Sequence, residues 1–121
     1  MKHRILLADD ETAFVLALGE RLSLRGFDPL VVHDGADALD ALKNEDIPLM
    51  VLDLRMPGMD GIEVLKGLRE AGAKTRVVIL TGHGTAEDRE RCNAYGAVAF
   101  FNKPVNIEVL AQTLRDAAED A

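Results

Sequence analysis

The chain has 121 residues, room for one domain with a sizeable core and little more. Apolar residues make up 48% and charged residues 29%, a balance that folds and does not stay disordered. Fourteen Lys and Arg against 21 Asp and Glu leave a net charge of −7, the wrong sign for general affinity to nucleic acid or an anionic membrane surface.

Met1-Lys2-His3-Arg4 is basic, but the apolar run behind it, Ile5-Leu6-Leu7-Ala8, stops at Asp9-Asp10, too soon for a signal peptide. That run is the first predicted strand. Phe14, Leu18 and Leu22 recur at i, i+4 and i+8 and predict a helix that stops at Gly26. Leu30-Val31-Val32 is the second strand, opened by Pro29 where a missing N–H is tolerated. Asp34 is the expected N-cap of a second helix, with Ala38, Leu39 and Leu42 on one face. Leu49-Met50-Val51-Leu52 is the third strand. Ile62, Leu65 and Leu68 mark a third helix that stops near Gly72.

Val77-Val78-Ile79-Leu80 is the fourth strand. Thr85, with Asp88 three residues on, forms an acidic variant of a capping box at the start of a fourth helix. Residues 87–91 of that helix are all charged, so its apolar face is expected to rest on Ala86, Ala94 and Tyr95. Weak anchoring of this kind suits either a movable element or a solvated surface helix, and alone it favours the latter. Cys92, the single cysteine, excludes an internal disulfide and a Cys-rich zinc site, and is expected to be a bystander in this polar stretch. Val98-Ala99-Phe100-Phe101 is the fifth strand, and a fifth helix starts near Asn106 with Ile107, Leu110 and Leu114 on one side.

All five short runs are nearly continuous in apolar residues. That pattern is expected of a parallel sheet covered on both faces. Five βα units with short loops predict a single doubly wound, three-layer α/β domain spanning residues 1–121. No stretch approaches the ~20 apolar residues of a membrane span, so a soluble, cytoplasmic protein is expected.

Polar residues fall where such a fold binds ligands, beyond the carboxyl ends of the strands. The first strand ends in Asp9-Asp10, the third in Asp53, the fourth in Thr81 and the fifth near Lys103. Converging carboxylates repel one another unless a cation neutralises them. Oxygen donors without a His or Cys cluster suit Mg²⁺. One carboxylate of such a site can act as a nucleophile toward phosphorus, with an ammonium and a hydroxyl stabilising the transferred group. Taken singly, an Asp-Asp pair is more often a helix start, a Thr a local cap and a Lys a solvated cation. Their joint occurrence at four strand ends favours the chemical reading.

These residues resemble the receiver domain of bacterial two-component response regulators, over essentially the whole chain. The matching stretches are Leu7-Ala8-Asp9-Asp10-Glu11, the segment from Leu52-Asp53-Leu54-Arg55 through Met56-Pro57-Gly58-Met59-Asp60-Gly61, Leu80-Thr81-Gly82-His83-Gly84, Gly96-Ala97 and Phe100-Phe101-Asn102-Lys103-Pro104. The resemblance implies a flavodoxin-like five-stranded sheet of order 2-1-3-4-5. It implies that Asp53 accepts a phosphoryl group from a phosphohistidine of a sensor histidine kinase or a histidine phosphotransfer protein. Asp10 would ligate Mg²⁺ directly, Asp9 mainly through water, and Asp53 and the Arg55 backbone carbonyl would complete the protein's ligands. Thr81 and Lys103 would hold the phosphoryl oxygens, and the Lys103–Pro104 bond is expected to be cis. Phe100 matches the switch aromatic that, with Thr81, links the site to the face of the fourth helix, fifth strand and fifth helix; its bland alternative is core packing.

Ala99 stands where many members carry an acidic residue, and Arg55 and His83 occupy positions that vary and tune phosphoryl lifetime. A cation at Arg55 could steer the attacking water or shield the phosphoryl group; His83 is expected to be exposed. The resemblance thus implies a regulatory phosphoacceptor and not an enzyme in the ordinary sense, with a target or output domain on the switched face and a monomeric or weakly dimeric state. The alternative is a pseudo-receiver, a binding module that never uses its site. A phosphoaspartate phosphatase would need a second Asp two residues after the nucleophile, where this chain has Arg55.

Overall fold

The continuous apolar runs become strands whose successive side chains enter two different layers. Ile5 and Leu7 face one layer and Leu6 and Ala8 the other; Leu49 and Val51 oppose Met50 and Leu52; Val78 and Leu80 oppose Val77 and Ile79. With both faces buried there is no polar face to alternate with. A computed structural model, which describes residues 2–119, shows five such strands. They are β1 (His3–Ala8), β2 (Phe27–Val32), β3 (Leu49–Leu52), β4 (Arg76–Thr81) and β5 (Ala99–Asn102). All pairings are parallel and the order is β2-β1-β3-β4-β5. This is the expected flavodoxin-like three-layer sandwich.

Five helices connect and follow the strands: α1 (Thr12–Ser23), α2 (Gly35–Asn44), α3 (Gly61–Glu70), α4 (Ala86–Ala94) and α5 (Ile107–Glu119). α1 and α5 cover one face, through Val15, Leu18, Leu22, Leu110 and Leu114. α2, α3 and α4 cover the other, through Ala38, Val64, Leu65, Leu68 and Cys92. The caps follow local chemistry. Asp34 Oδ1 accepts the Asp37 N–H at 2.8 Å, and Asn106 Oδ1 accepts the N–H groups of Glu108 and Val109. Thr85 and Asp88 make the expected reciprocal box, and Asp60 with Glu63 makes a second one at the start of α3.

Two local expectations are corrected. β2 begins at Phe27, so Pro29 lies inside the strand and does not open it. β2 is an edge strand, where an unpaired N–H position costs nothing. The buried face of α4 is Asp88 and Cys92, while Ala86 and Ala94 are exposed. Asp88 and Cys92 are four residues apart and share a face, and the Thr85 and Arg55 hydrogen bonds to Asp88 make its burial tolerable. Cys92 is therefore a core residue, fully buried in the α2–α4 layer.

Beyond the last turn of α4 the chain is gripped by one side chain. The Arg69 guanidinium donates to the carbonyls of Tyr95 (2.7 Å), Ala73 (3.0 Å), Thr75 (3.3 Å) and Gly96 (3.4 Å). It ties the end of α3 and the α3–β4 connection to the α4–β5 turn.

Candidate functional site

β1 and β3 are neighbours in the sheet, but each leaves it toward the other side, so their carboxyl ends form a crevice. The ladder continues one step past the strands there: the Asp53 N–H donates to Ala8 O at 3.0 Å and the Asp9 N–H to Val32 O at 3.1 Å. Both side chains are thus fixed at the rim, and both are buried, while Asp10 is exposed. Carboxylate oxygens of Asp9, Asp10 and Asp53 all lie within 4.8 Å of one another.

The turn after Asp53 wraps its carboxylate. The Arg55 backbone N–H donates to Asp53 Oδ1 at 3.3 Å, and the Gly61 N–H to Leu54 O at 3.0 Å. Any Cβ at Gly61 would collide with the Asp53 carbonyl oxygen, so α3 can start this close to the acidic residue only from a glycine.

Lys103 reaches the cluster from the other side. Its N–H donates to Thr81 O at 2.8 Å, which registers the end of β5 on β4, and the Lys103–Pro104 bond that follows is cis, as expected. The ammonium Nζ lies 2.8 Å from Asp9 Oδ2, 2.6 Å from Glu11 Oε1 and 3.5 Å from Asp53 Oδ2. It also sits 4.4 Å from the centre of the Phe14 ring, a cation–π contact. Burial works against the Lys103 cation, but the bonds to Asp9 and Glu11 and the charges of Asp53 and Asp9 outweigh it and hold the ammonium above its ordinary range. Asp9 is pushed above its ordinary value, chiefly by burial and further by the Asp53 charge, against the opposing bonds from Lys103 and the Glu11 N–H. Glu11 is lowered by its bond to Lys103.

Thr81 is fully buried at the end of β4, and its Oγ1 has no hydrogen-bond partner among the described residues. A buried unpaired hydroxyl is costly and rare. Phe100 is buried in the α2–α4 layer, with the Arg89 guanidinium 4.8 Å from its ring centre. Its ring also fills the space beside Gly84, where a Cβ would come within 2.5 Å of Cζ. The Gly84 N–H donates to Asn102 Oδ1 at 3.1 Å, which joins the β4–α4 loop to β5. His83 is exposed, as expected.

Asp9, Asp10, Asp53 and Lys103 therefore meet in one place, and Thr81 closes the adjacent strand end. Several neighbours escaped sequence reasoning. Glu11 and Phe14 hold Lys103 across more than 85 residues of chain. Asp88 is legible only as a cap, yet it also pairs with Arg55 at 2.9 Å. The adjacency of Glu11 to Asp9-Asp10 is the one signal that pointed to any of them.

A hard divalent cation fits this donor set. The side chains of the cluster offer carboxylate oxygens within 4.8 Å of one another, a spacing of the order of an octahedral Mg²⁺ shell, whose opposite oxygens lie about 4.2 Å apart. Lys103 supplies a single positive charge against four carboxylates, counting Glu11, which leaves anionic charge for a cation to neutralise. A cavity of about 470 Å³ opens at the opposite end of the sheet, between the α2–β3 and α3–β4 connections, away from the Asp9, Asp10 and Asp53 cluster.

Comparison with known proteins places these features in context. The family described as the response regulator receiver domain matches residues 5–115. Sporulation initiation phosphotransferase F of Bacillus subtilis is 33% identical over 119 residues, covering 98% of this chain and 93% of its own length. Transcriptional regulatory protein GlrR of Escherichia coli is also 33% identical, but the chain spans only 28% of that regulator. The solved receiver domain of Francisella response regulator 1452 superposes with a TM-score of 0.93 at 27% identity, covering 98% of each chain. Among the described residues no helix is long and apolar enough to cross a membrane.

Proposed function

From a chain that belongs to the response regulator receiver domain family, we propose a phosphoacceptor switch that takes a phosphoryl group on Asp53 from a phosphohistidine of a sensor histidine kinase or a histidine phosphotransfer protein. The observation that carries this reading is the buried Asp53 carboxylate, flanked by the Lys103 ammonium at 3.5 Å, beside a strand end that offers an unpartnered hydroxyl. The Bacillus subtilis relative is a phosphotransferase, which supports phosphoryl transfer as the chemistry of this site.

In the transfer, an Asp53 carboxylate oxygen attacks the phosphorus of an N-phosphorylated imidazole. The new O–P bond forms as the N–P bond breaks, and the imidazole leaves with the electron pair and takes up a proton. Asp9, Asp10 and Asp53, with the Arg55 backbone carbonyl, would hold Mg²⁺. When bound, that cation supplies charge neutralisation at the phosphoryl oxygens. Lys103 shifts from Asp9 toward the incoming oxygens, and Thr81 gains the acceptor its hydroxyl lacks. Water attack on phosphorus later returns the Asp53 carboxylate and inorganic phosphate. Movement of the Thr81 hydroxyl opens room for Phe100 to repack, which carries the event to the surface of α4, β5 and α5, where a target or output domain would read it.

Acetyl phosphate with Mg²⁺, followed by intact-mass analysis, tests the reading. One phosphoryl adduct is expected on the wild type and none on Asp53→Asn. An unmodified wild type, or an adduct that survives in Asp53→Asn, would point instead to a pseudo-receiver.

A further inference from the structure

Arg55 lies two residues beyond Asp53 and contributes its backbone N–H to that carboxylate, but its guanidinium is engaged elsewhere. Nη2 donates to Asp88 Oδ2 on α4 at 2.9 Å. The pair is unequal: the Arg55 side chain is 51% exposed and that of Asp88 only 11%. The same Asp88 oxygen accepts the Thr85 N–H at 3.1 Å, and the Asp88 N–H donates to Thr85 Oγ1. Burial opposes the Asp88 carboxylate, but the bonds from Thr85 and Arg55 outweigh it and keep the group ionised at neutral pH. Because α4 buries only Asp88 and Cys92, this ion pair is a main tie between its first turn and the loop that carries the acceptor.

Phosphorylation changes the competition for Arg55. Asp53 would carry a group of about −2 charge with three strong acceptor oxygens. A guanidinium matches such a group in a two-bond fork, whereas a single N–H holds it to Asp88. We propose that Arg55 changes partner on phosphorylation, leaving the Asp88 carboxylate for the phosphoryl oxygens on Asp53, and so unties the first turn of α4. The proposal rests on Asp53 being the phosphoacceptor. Asp88 is then a positioning residue that holds the cation in reserve. It keeps both Thr85 bonds after Arg55 leaves, so α4 stays capped while losing its sideways tether.

The test uses the full chain with beryllofluoride and Mg²⁺ as a phosphoryl mimic, in wild type, Asp88→Asn, Arg55→Gln and the double variant. Calorimetry reads mimic affinity, and hydrogen exchange reads the amides of residues 85–90. Asp88→Asn, with no pair to break, should bind the mimic about two- to fivefold tighter, and that gain should vanish when Arg55 is already Gln. The mimic should lower amide protection in the first turn of wild-type α4, and Arg55→Gln should show the lowered protection before any mimic is added. An equal Asp88→Asn effect in both backgrounds, or α4 protection that the mimic leaves unchanged, would overturn the partner change. Wild type that does not bind the mimic would overturn the phosphoacceptor reading itself. If Asp88→Asn does not fold, the half-exposed Arg55→Gln site still decides the matter through exchange alone.

Discussion

A methyl group at Gly61 would meet the Asp53 carbonyl oxygen and come within 2.7 Å of the Leu54 Cα, both backbone atoms that cannot swing aside. Gly61→Ala should therefore cost about 2–3 kcal/mol in urea unfolding and slow phosphorylation by acetyl phosphate, because the backbone of the acceptor itself must shift. An unchanged midpoint and rate would show that α3 can back away freely. Asp9, Asp10, Asp53, Thr81 and Lys103 were legible in the sequence because each follows an apolar run, and a strand in a covered parallel sheet delivers its next residue to the rim. Glu11 and Phe14 were not legible as partners of Lys103, because ranking one lysine contact above another needs the third dimension. Thr81 could be placed from sequence, but the orphaned state of its hydroxyl could not, since that depends on every neighbour at once.

α4 shows what a period cannot reveal. Its alanines suggested one buried face, and its capping aspartate and lone cysteine turned out to be the other. Charged composition gave no apolar stripe to fix the phase; the inward face carries Cys92 in the core and Asp88 paired with Arg55. Burial, with the nearby Asp88 charge, pushes the Cys92 thiol up from its ordinary 9.0 to about 11. The folded state thus favours the neutral thiol. Its contribution is complete below pH 9 and declines between pH 9 and 11, where the unfolded chain ionises first, by about 2–3 kcal/mol in all. Denaturant titrations at pH 8 and 10.5 should show that fall in wild type, and Cys92→Ala should lack it while losing about 1 kcal/mol at pH 8 from packing. A variant with the same alkaline slope as wild type would assign the fall to another group.

The fold as an assembly was the most legible part, because five continuous apolar runs separated by amphipathic ones leave few arrangements that cover both faces of a sheet. The ends of the strands were read less well than their centres: β2 starts three residues before its apolar run, where Phe27 is buried behind an exposed Asp28. Charge ties this architecture to its acidic rim. For a site with a dissociation constant on the order of 1 mM, 10 mM Mg²⁺ should add about 1.4 kcal/mol and raise the midpoint of thermal unfolding by about 5 °C. Replacing Asp10 and Asp53 together by Asn should abolish the shift in scanning calorimetry; a shift that persists would place the cation elsewhere. The grip of Arg69 on the carbonyls of Tyr95 and Gly96 sets what α4 can do if its opposite end is let go. A rod moored at its stern and loosed at its bow swings through an arc but cannot slide. The greatest travel would then fall at Thr85 and Ala86, nearest the acidic crevice, and the least beside Tyr95.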